Sequence, residues 1–387
     1  MRQAVLFPEI LEREGLPILG EQRDIRYLGS EARSILNPPD RTGMPYWSIN
    51  PYVGCAFGCA YCYARYAHRY VMERAVASGE TDDTLRHELE AMPPWLAFER
   101  RIVVKHNAPA LLRSTLFHGG ERYRELLAGA GIVIGTATDP YQPAERRFRV
   151  TRGVLEVLGE LAGLTVNLIT KSPLVTRDID LLSRIAARSS LAVHVSLITL
   201  DRALARRLEP RAPTPESRLR ALARLREAGI EAGINCMPVL PGITDHPAAL
   251  EALVRRASEA GATHVSMCTL RLQHEARQRY LPFIEQEFPH LATRYRNAYA
   301  HGHQVGERYR EGLRTFFRKL CRRYGVATRS RVEEDMLSDE EREESAGSPL
   351  RGDGRGTSHV TSPETSHDSA SGDVPGATSQ LVLELGA

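Results

Sequence analysis

Short apolar runs rich in β-branched residues recur along the chain at 47–53, 102–106, 132–137, 165–170, 192–198, 233–239 and 264–270, each long enough for one strand. Helix-length stretches fall between them, at 64–77, 149–161, 178–187, 215–228 and 247–260. Thr214 or Pro215 begins the 215–228 stretch and Gly229 ends it, both ordinary boundary signals. This alternation predicts an α/β fold. It is a parallel sheet with helices outside, doubly wound or closed into a full or partial (β/α) barrel of six or seven parallel strands. In a barrel the chemistry belongs at the C-terminal ends of the strands. Residues 283–324 read as further helices whose aromatic and aliphatic positions pack against it.

The flanks break the pattern. The first 45 residues mix short apolar pieces with Pro and Gly and read as an irregular arm. From about Ser338 the sequence turns acidic and then Ser-, Gly-, Thr- and Pro-rich, with almost nothing to bury, so it reads as disordered. The expected organisation is an arm (1–45), a barrel (46–275), a helical extension (276–330) and a tail (331–387).

Charge changes the picture. The segment 331–387 holds thirteen acids against four arginines, so the first 330 residues carry 47 basic and 35 acidic side chains although the whole chain is only +3. Such a body attracts polyanions, nucleic acid among them, and arginines that solvate helix faces explain the same surplus. Of 51 basic residues only Lys105, Lys171 and Lys319 are lysines, which marks each for a role that needs a compact ammonium. No run approaches the roughly 20 apolar residues of a membrane span, and no apolar signal core follows Met1. No membrane association and a cytoplasmic location are therefore expected. Six cysteines in 387 residues are too few for a disulfide framework, so clustered ones point to metal binding or catalysis.

Three of them do cluster. In NPYVGCAFGCAYCYARY, Cys55, Cys59 and Cys62 form C-x3-C-x2-C directly after the first strand run. Three thiolates do not complete a tetrahedral zinc site, whereas in a four-iron cluster they leave one iron open to an exogenous ligand. Gly54, Ala56, Gly58 and Ala60 let the loop pass close to such a group. Zinc with a fourth ligand such as His68, or three unligated cysteines, are the alternatives.

This spacing, with Tyr61 before the last cysteine and repeated βα units after it, resembles the motif of the radical S-adenosylmethionine superfamily. The segments RSILNPPDRTGMPYWSINPYVGC, VVKHNAP, GTATDPYQPAE, LITKSPLVTRDIDLL, LEPRAPTPESRL and PVLPGITD are similar to its spore photoproduct lyase-like branch, also labelled DNA repair photolyase-like, over roughly residues 33–325. The resemblance implies a [4Fe-4S] cluster on Cys55, Cys59 and Cys62, with S-adenosylmethionine on the open iron. It also implies an electron donor such as flavodoxin or ferredoxin, and a 5′-deoxyadenosyl radical that takes hydrogen from a substrate, which the basic body suggests is DNA or RNA. A peptide or small metabolite is the alternative substrate. A non-catalytic iron–sulfur or zinc protein that binds nucleic acid is the alternative class.

Strand ends supply the other candidates. Lys105 and Asn107 are two apart and share a side, with the ammonium suited to the methionine carboxylate. Thr138, Asp139 and Glu145 follow the next strand, where a carboxylate suits the methionine amino group and hydroxyls suit the ribose. Thr170 and Lys171 end the fourth run, and Ser196 shares a face of the fifth with His194, itself read as a hydrogen-bonded structural residue. Tyr61 completes the cofactor set. Cys236 and Cys268, in the last two runs, are small core residues on one reading and hydrogen-atom donors on the other. In the tail, residues 380–385 resemble the Gln-Leu-x-Leu-Phe peptides that dock on the bacterial sliding clamp, with Gln380, Leu381 and Leu383 matching and Glu384 standing in place of the phenylalanine.

Overall fold

The computed structural model describes residues 18–22, 24–69, 92–118, 124–127 and 130–335. The proposed clamp peptide and nearly all of the tail lie outside these residues. Among them, eleven strands form two sheets. The smaller contains β1 (Ile18–Gln22), β2 (Ile25–Ser30), β5 (Tyr52–Val53) and β6 (Arg101–Lys105) in the order β1-β2-β6-β5. The larger contains β3 (Leu36–Asn37), β4 (Trp47–Ile49), β7 (Gly131–Ile134), β8 (Thr165–Thr170), β9 (Ser190–Ser196), β10 (Glu231–Val239) and β11 (Val265–Thr269).

Its order is β11-β10-β9-β8-β7-β4-β3, parallel from β4 to β11 and antiparallel only at the β3 edge. Each new parallel strand lies beside the one before it in this sheet. A doubly wound sheet reverses direction midway, so this order is that of a partial (β/α) barrel of six parallel strands. Among the described residues no ladder joins β11 back to β3, and the sheet stays open along that seam.

Two expectations change. The run 102–106 does not enter the barrel, because β6 pairs in parallel with β2 and antiparallel with β5. The 25–30 part of the expected irregular arm is that sheet's second strand. The run 47–53 divides at Asn50–Pro51, half going to each sheet. Proline cannot donate a ladder hydrogen bond, so a change of sheet there leaves no donor idle.

The helices that matter below are α1 (Val150–Leu158), α2 (Ile179–Ala186), α3 (Pro215–Glu227), α4 (Pro247–Glu259), α5 (His274–Glu287), α6 (Glu307–Arg323) and α7 (Arg331–Asp335). The first four bridge successive barrel strands. In α3, Thr214 caps the N-terminus by accepting from the Ser217 N–H, Pro215 needs no partner there, and Gly229 turns the chain out at φ +76°. Thr214→Ala is expected to cost about 1 kcal/mol of stability in urea unfolding. A cost below a few tenths would show that packing, not the cap, sets this boundary.

The register gives the sheet two chemically distinct faces. Trp47, Ile49, Ile132, Ile134, Val166, Leu168, Val193, Val195, Ile234 and Val265 share the side that carries the helices, all buried. The opposite, inner face is largely polar. Ser196, Asn235 and Ser266 stand in one row across three strands, each at most 6% exposed, with Asn167 and His194 on the same face. Burying polar side chains costs free energy unless partners meet them. A row of them is therefore the mark of a lumen that receives polar groups.

Candidate active site

The cysteine loop runs from β5 to a 3-10 turn at Tyr63–Tyr66. Distant backbone holds it on both sides. The Cys55 N–H donates to the Phe98 carbonyl (2.8 Å), the Ala60 N–H to Leu208 (2.9 Å), and the Arg211 N–H to the Phe57 carbonyl (3.3 Å). Side chains complete the brace. Gln142 accepts from the Ala56 N–H at Oε1 (2.9 Å) and donates from Nε2 to the Gly54 carbonyl (3.0 Å), which also accepts from Thr138 Oγ1 (2.6 Å). Arg65 Nη2 donates to the Cys59 carbonyl (2.8 Å). Gly54 sits at φ +86°, and a Cβ there would lie 2.6 Å from the Phe98 carbonyl, so only glycine lets the loop dock.

Cys55 and Cys59 are buried, Cys62 is half-buried, and none is in a disulfide. Burial, with the charge of Asp139 nearby, pushes the Cys55 thiol well up; burial carries Cys59 to about 12 even though Lys171 opposes it. Both are therefore protonated until a metal displaces the proton.

Among the described residues the one trio of metal-ligating side chains with donor atoms all within 4.8 Å of one another is His194, His264 and Glu333. His68 is buried beside Arg101, and burial lowers its ring to about 4.

Around Cys59 the fold gathers several of the expected residues. Lys171 Nζ lies 5.8 Å from the centre of the Tyr61 ring. Burial works against its charge, but Cys59 and Glu209 outweigh burial and raise its pKa. The Tyr61 hydroxyl donates to Glu209, which pairs with Arg218, both nearly without solvent exposure. Arg218 Nη1 donates to the Ser196 carbonyl (3.0 Å), tying this network to the end of β9. Asp139 accepts from Thr170 Oγ1 (2.7 Å), the Lys171 N–H (2.7 Å) and the Tyr141 N–H (2.9 Å), and burial raises its pKa. Tyr61, Thr138, Asp139 and Lys171 thus gather at the loop, with Thr170 joined to them through Asp139 and Ser196 through Arg218 and Glu209.

Three expected residues do not. Glu145 is fully buried beneath the loop and spent on Tyr52 Oη, the Thr151 and Arg152 N–H groups and Arg177 Nη2, leaving nothing for a cofactor. Asn107 clasps the backbone of Ala32 with both ends of its amide. Lys105, in the smaller sheet, donates to the Asn50 carbonyl (2.9 Å) and so braces the strand break. Glu209, Arg218, Gln142 and Asn235 were missed. The first two stand in LEPRAPTPESRL, which drew notice as a segment without yielding a residue.

The two cysteines of the last strands separate by parity. Cys236 pairs with Met267 in register, has no exposure, and burial with neighbouring Cys268 and Cys321 raises it to about 12. It belongs to the helix-facing core. Cys268 shares the lumen face with Ser266, is half-buried, and lies within the electrostatic reach of Tyr63, a ring 44% exposed.

Comparison with known proteins agrees with this geometry. Residues 115–254 match the family model described as the radical SAM superfamily. An uncharacterized protein of Mycobacterium bovis is 33% identical over 297 residues, 76% of this chain and 80% of that protein. One of Methanocaldococcus jannaschii is 28% identical over 221 residues, 57% of this chain and 70% of that protein. Among solved structures, spore photoproduct lyase complexed with dinucleoside spore photoproduct superposes with a TM-score of 0.55 at 14% identity, covering 81% of this chain and 85% of that one.

Proposed function

Because the chain belongs to the radical S-adenosylmethionine superfamily, we propose that it is an enzyme that reductively cleaves S-adenosylmethionine and takes hydrogen from a substrate, nucleic acid being the class its charge favours. A [4Fe-4S] cluster and S-adenosylmethionine are its cofactors, and when bound they supply the one-electron chemistry that yields a 5′-deoxyadenosyl radical. One observation carries the reading. Three thiols at C-x3-C-x2-C spacing sit on a braced loop beside a parallel sheet whose inner face is polar.

The chain's own residues divide the work. Thr138, Gln142 and Arg65 hold the loop, and Lys171 offers an ammonium for the methionine carboxylate. Asn235, whose buried Oδ1 has no hydrogen-bond partner among the described residues, offers an acceptor to the lumen. The surplus of basic side chains before residue 331 and the exposed Tyr63 ring support a phosphate-bearing, base-stacking substrate. To Cys268, half-buried on the lumen face, we assign the return of a hydrogen atom to a substrate radical.

The test is anaerobic reconstitution with iron and sulfide, reduction, and measurement of 5′-deoxyadenosine with and without oligonucleotide. No 5′-deoxyadenosine from a fully loaded protein would leave a non-catalytic binder. Oligonucleotide affinity that does not fall as salt rises would point to a peptide or metabolite. Lys171→Ala is expected to weaken S-adenosylmethionine binding about tenfold, worth about 1.4 kcal/mol, in calorimetric titration. A matching loss in Lys105→Ala, with Lys171→Ala unchanged, would return that role to Lys105. Cys268→Ala should still form 5′-deoxyadenosine while losing normal product, and Cys236→Ala should lose neither.

A further inference from the structure

On the lumen side, at the start of β11, two buried imidazoles face each other. His194 Nδ1 and His264 Nε2 are 3.0 Å apart. Their outer nitrogens are anchored: His194 Nε2 lies 2.8 Å from Asn167 Oδ1, and His264 Nδ1 lies 2.9 Å from Thr263 Oγ1. A carbonyl oxygen only accepts, so His194 carries its hydrogen on Nε2 and turns a lone pair toward His264. Thr263 has one hydroxyl hydrogen and two acceptors in reach, His264 Nδ1 and the Ala232 carbonyl at 3.1 Å.

If that hydrogen goes to Ala232, His264 is protonated on Nδ1 and the two imidazoles confront each other with lone pairs. Only a cation between them makes that arrangement favourable. A carboxylate completes the set, because the donor atoms of His194, His264 and Glu333 all lie within 4.8 Å of one another. Glu333 is aimed there by a capping box at the start of α7. Its Oε2 accepts the Ser330 N–H (3.0 Å), and its own N–H donates to Ser330 Oγ (3.0 Å).

We propose that His194, His264 and Glu333 form a second metal site, separate from the cysteine loop, for a single divalent cation of the zinc class. Two imidazoles and a carboxylate suit that class, and tetrahedral zinc needs its nitrogen ligands about 3.3 Å apart, a few tenths of an ångström from what is present. Asn167 and Thr263 are the outer partners that orient the ligand rings. The ion ties α7 to β9 and to the start of β11. Its role is structural. Neither imidazole belongs to the group of residues around Cys59.

The test uses the full chain after cluster reconstitution, dialysed against one equivalent of zinc. The expected result is one zinc per chain in addition to the iron, with X-ray absorption showing only nitrogen and oxygen ligands at about 2.0–2.1 Å. Glu333→Gln keeps the capping box, which accepts glutamine, yet removes the charged ligand. It should weaken zinc binding by at least about tenfold with iron content unchanged. Chelation should lower the Tm of the wild type and leave that of Glu333→Gln unmoved. Zinc with a sulfur shell near 2.3 Å would place it on the cysteines. Equal zinc affinity in wild type and Glu333→Gln, or no retained zinc, would show that a hydrogen and not a metal joins the two rings. Either result overturns the proposal. His264→Gln is the stronger variant but sits in the core, so Glu333→Gln is decisive if it fails to fold.

Discussion

Serine at Cys55, Cys59 or Cys62 is expected to remove the iron–sulfur cluster and to take 5′-deoxyadenosine formation to background. Each iron of such a cluster normally takes one thiolate, so the loss of one leaves an iron without its protein ligand. Cys62 is the most informative position, because it is half-buried and its replacement disturbs packing least. The checks are iron per chain, the electron paramagnetic resonance signal after reduction, and 5′-deoxyadenosine by chromatography. Full iron content in Cys59→Ser would sink the assignment. A pH dependence follows as well. Burial raises the Cys55 and Cys59 thiols, the latter to about 12, so cluster loading must expel protons and should strengthen as pH rises.

The largest expected effect on stability is at Glu209. Its ion pair with Arg218 is about 1% exposed on both sides, and Tyr61 adds a hydrogen bond. Glu209→Gln leaves Arg218 buried without its counter-charge, and a loss of about 3–5 kcal/mol is expected from denaturant unfolding. Replacing both, as Glu209→Leu with Arg218→Met, should cost less than the single change, because no charge is stranded. A double variant less stable than Glu209→Gln would refute that account. Burial alone would raise the carboxyl, but Arg218 and Lys171 outweigh it, so the folded pKa lies below the usual glutamate value. The stabilisation is therefore complete above the unfolded pKa and is lost as pH falls through the folded one. Acid unfolding should be less steep in the Leu–Met variant.

What the sequence disclosed follows from how local each signal is. C-x3-C-x2-C is legible because three ligands lie within eight residues, and the Thr214–Pro215 start is legible because a cap acts within one turn. The barrel strands stood out because burial on the helix side demands apolar β-branched residues. The placement of Lys105 lay beyond the sequence for a physical reason. Its two-residue spacing to Asn107 says nothing about which sheet the strand joins, and the strand joins β2. An acid after a strand serves a cofactor or an arginine equally well, and Glu145 pairs with Arg177. Glu209 and Arg218 were silent because their partners, Tyr61 and Ser196, reach them only through the tertiary fold. The polar row of Ser196, Asn235 and Ser266 was legible in principle, as alternate positions of three apolar runs, but only strand register sets the three side by side.

The way the cysteine loop is braced also bears on the protein's biogenesis. Arg211 reaches the Ala56 carbonyl across 155 residues, and Glu209 reaches Tyr61 across 148. The three thiols therefore leave the ribosome long before the walls of their pocket exist, by roughly 8–30 s at bacterial rates of about 5–20 residues per second. During that interval they are unshielded from oxidants and stray metals. The brace is complete only once the chain has been made through Arg218, when four of the six parallel strands exist and β10 and β11 are still to come.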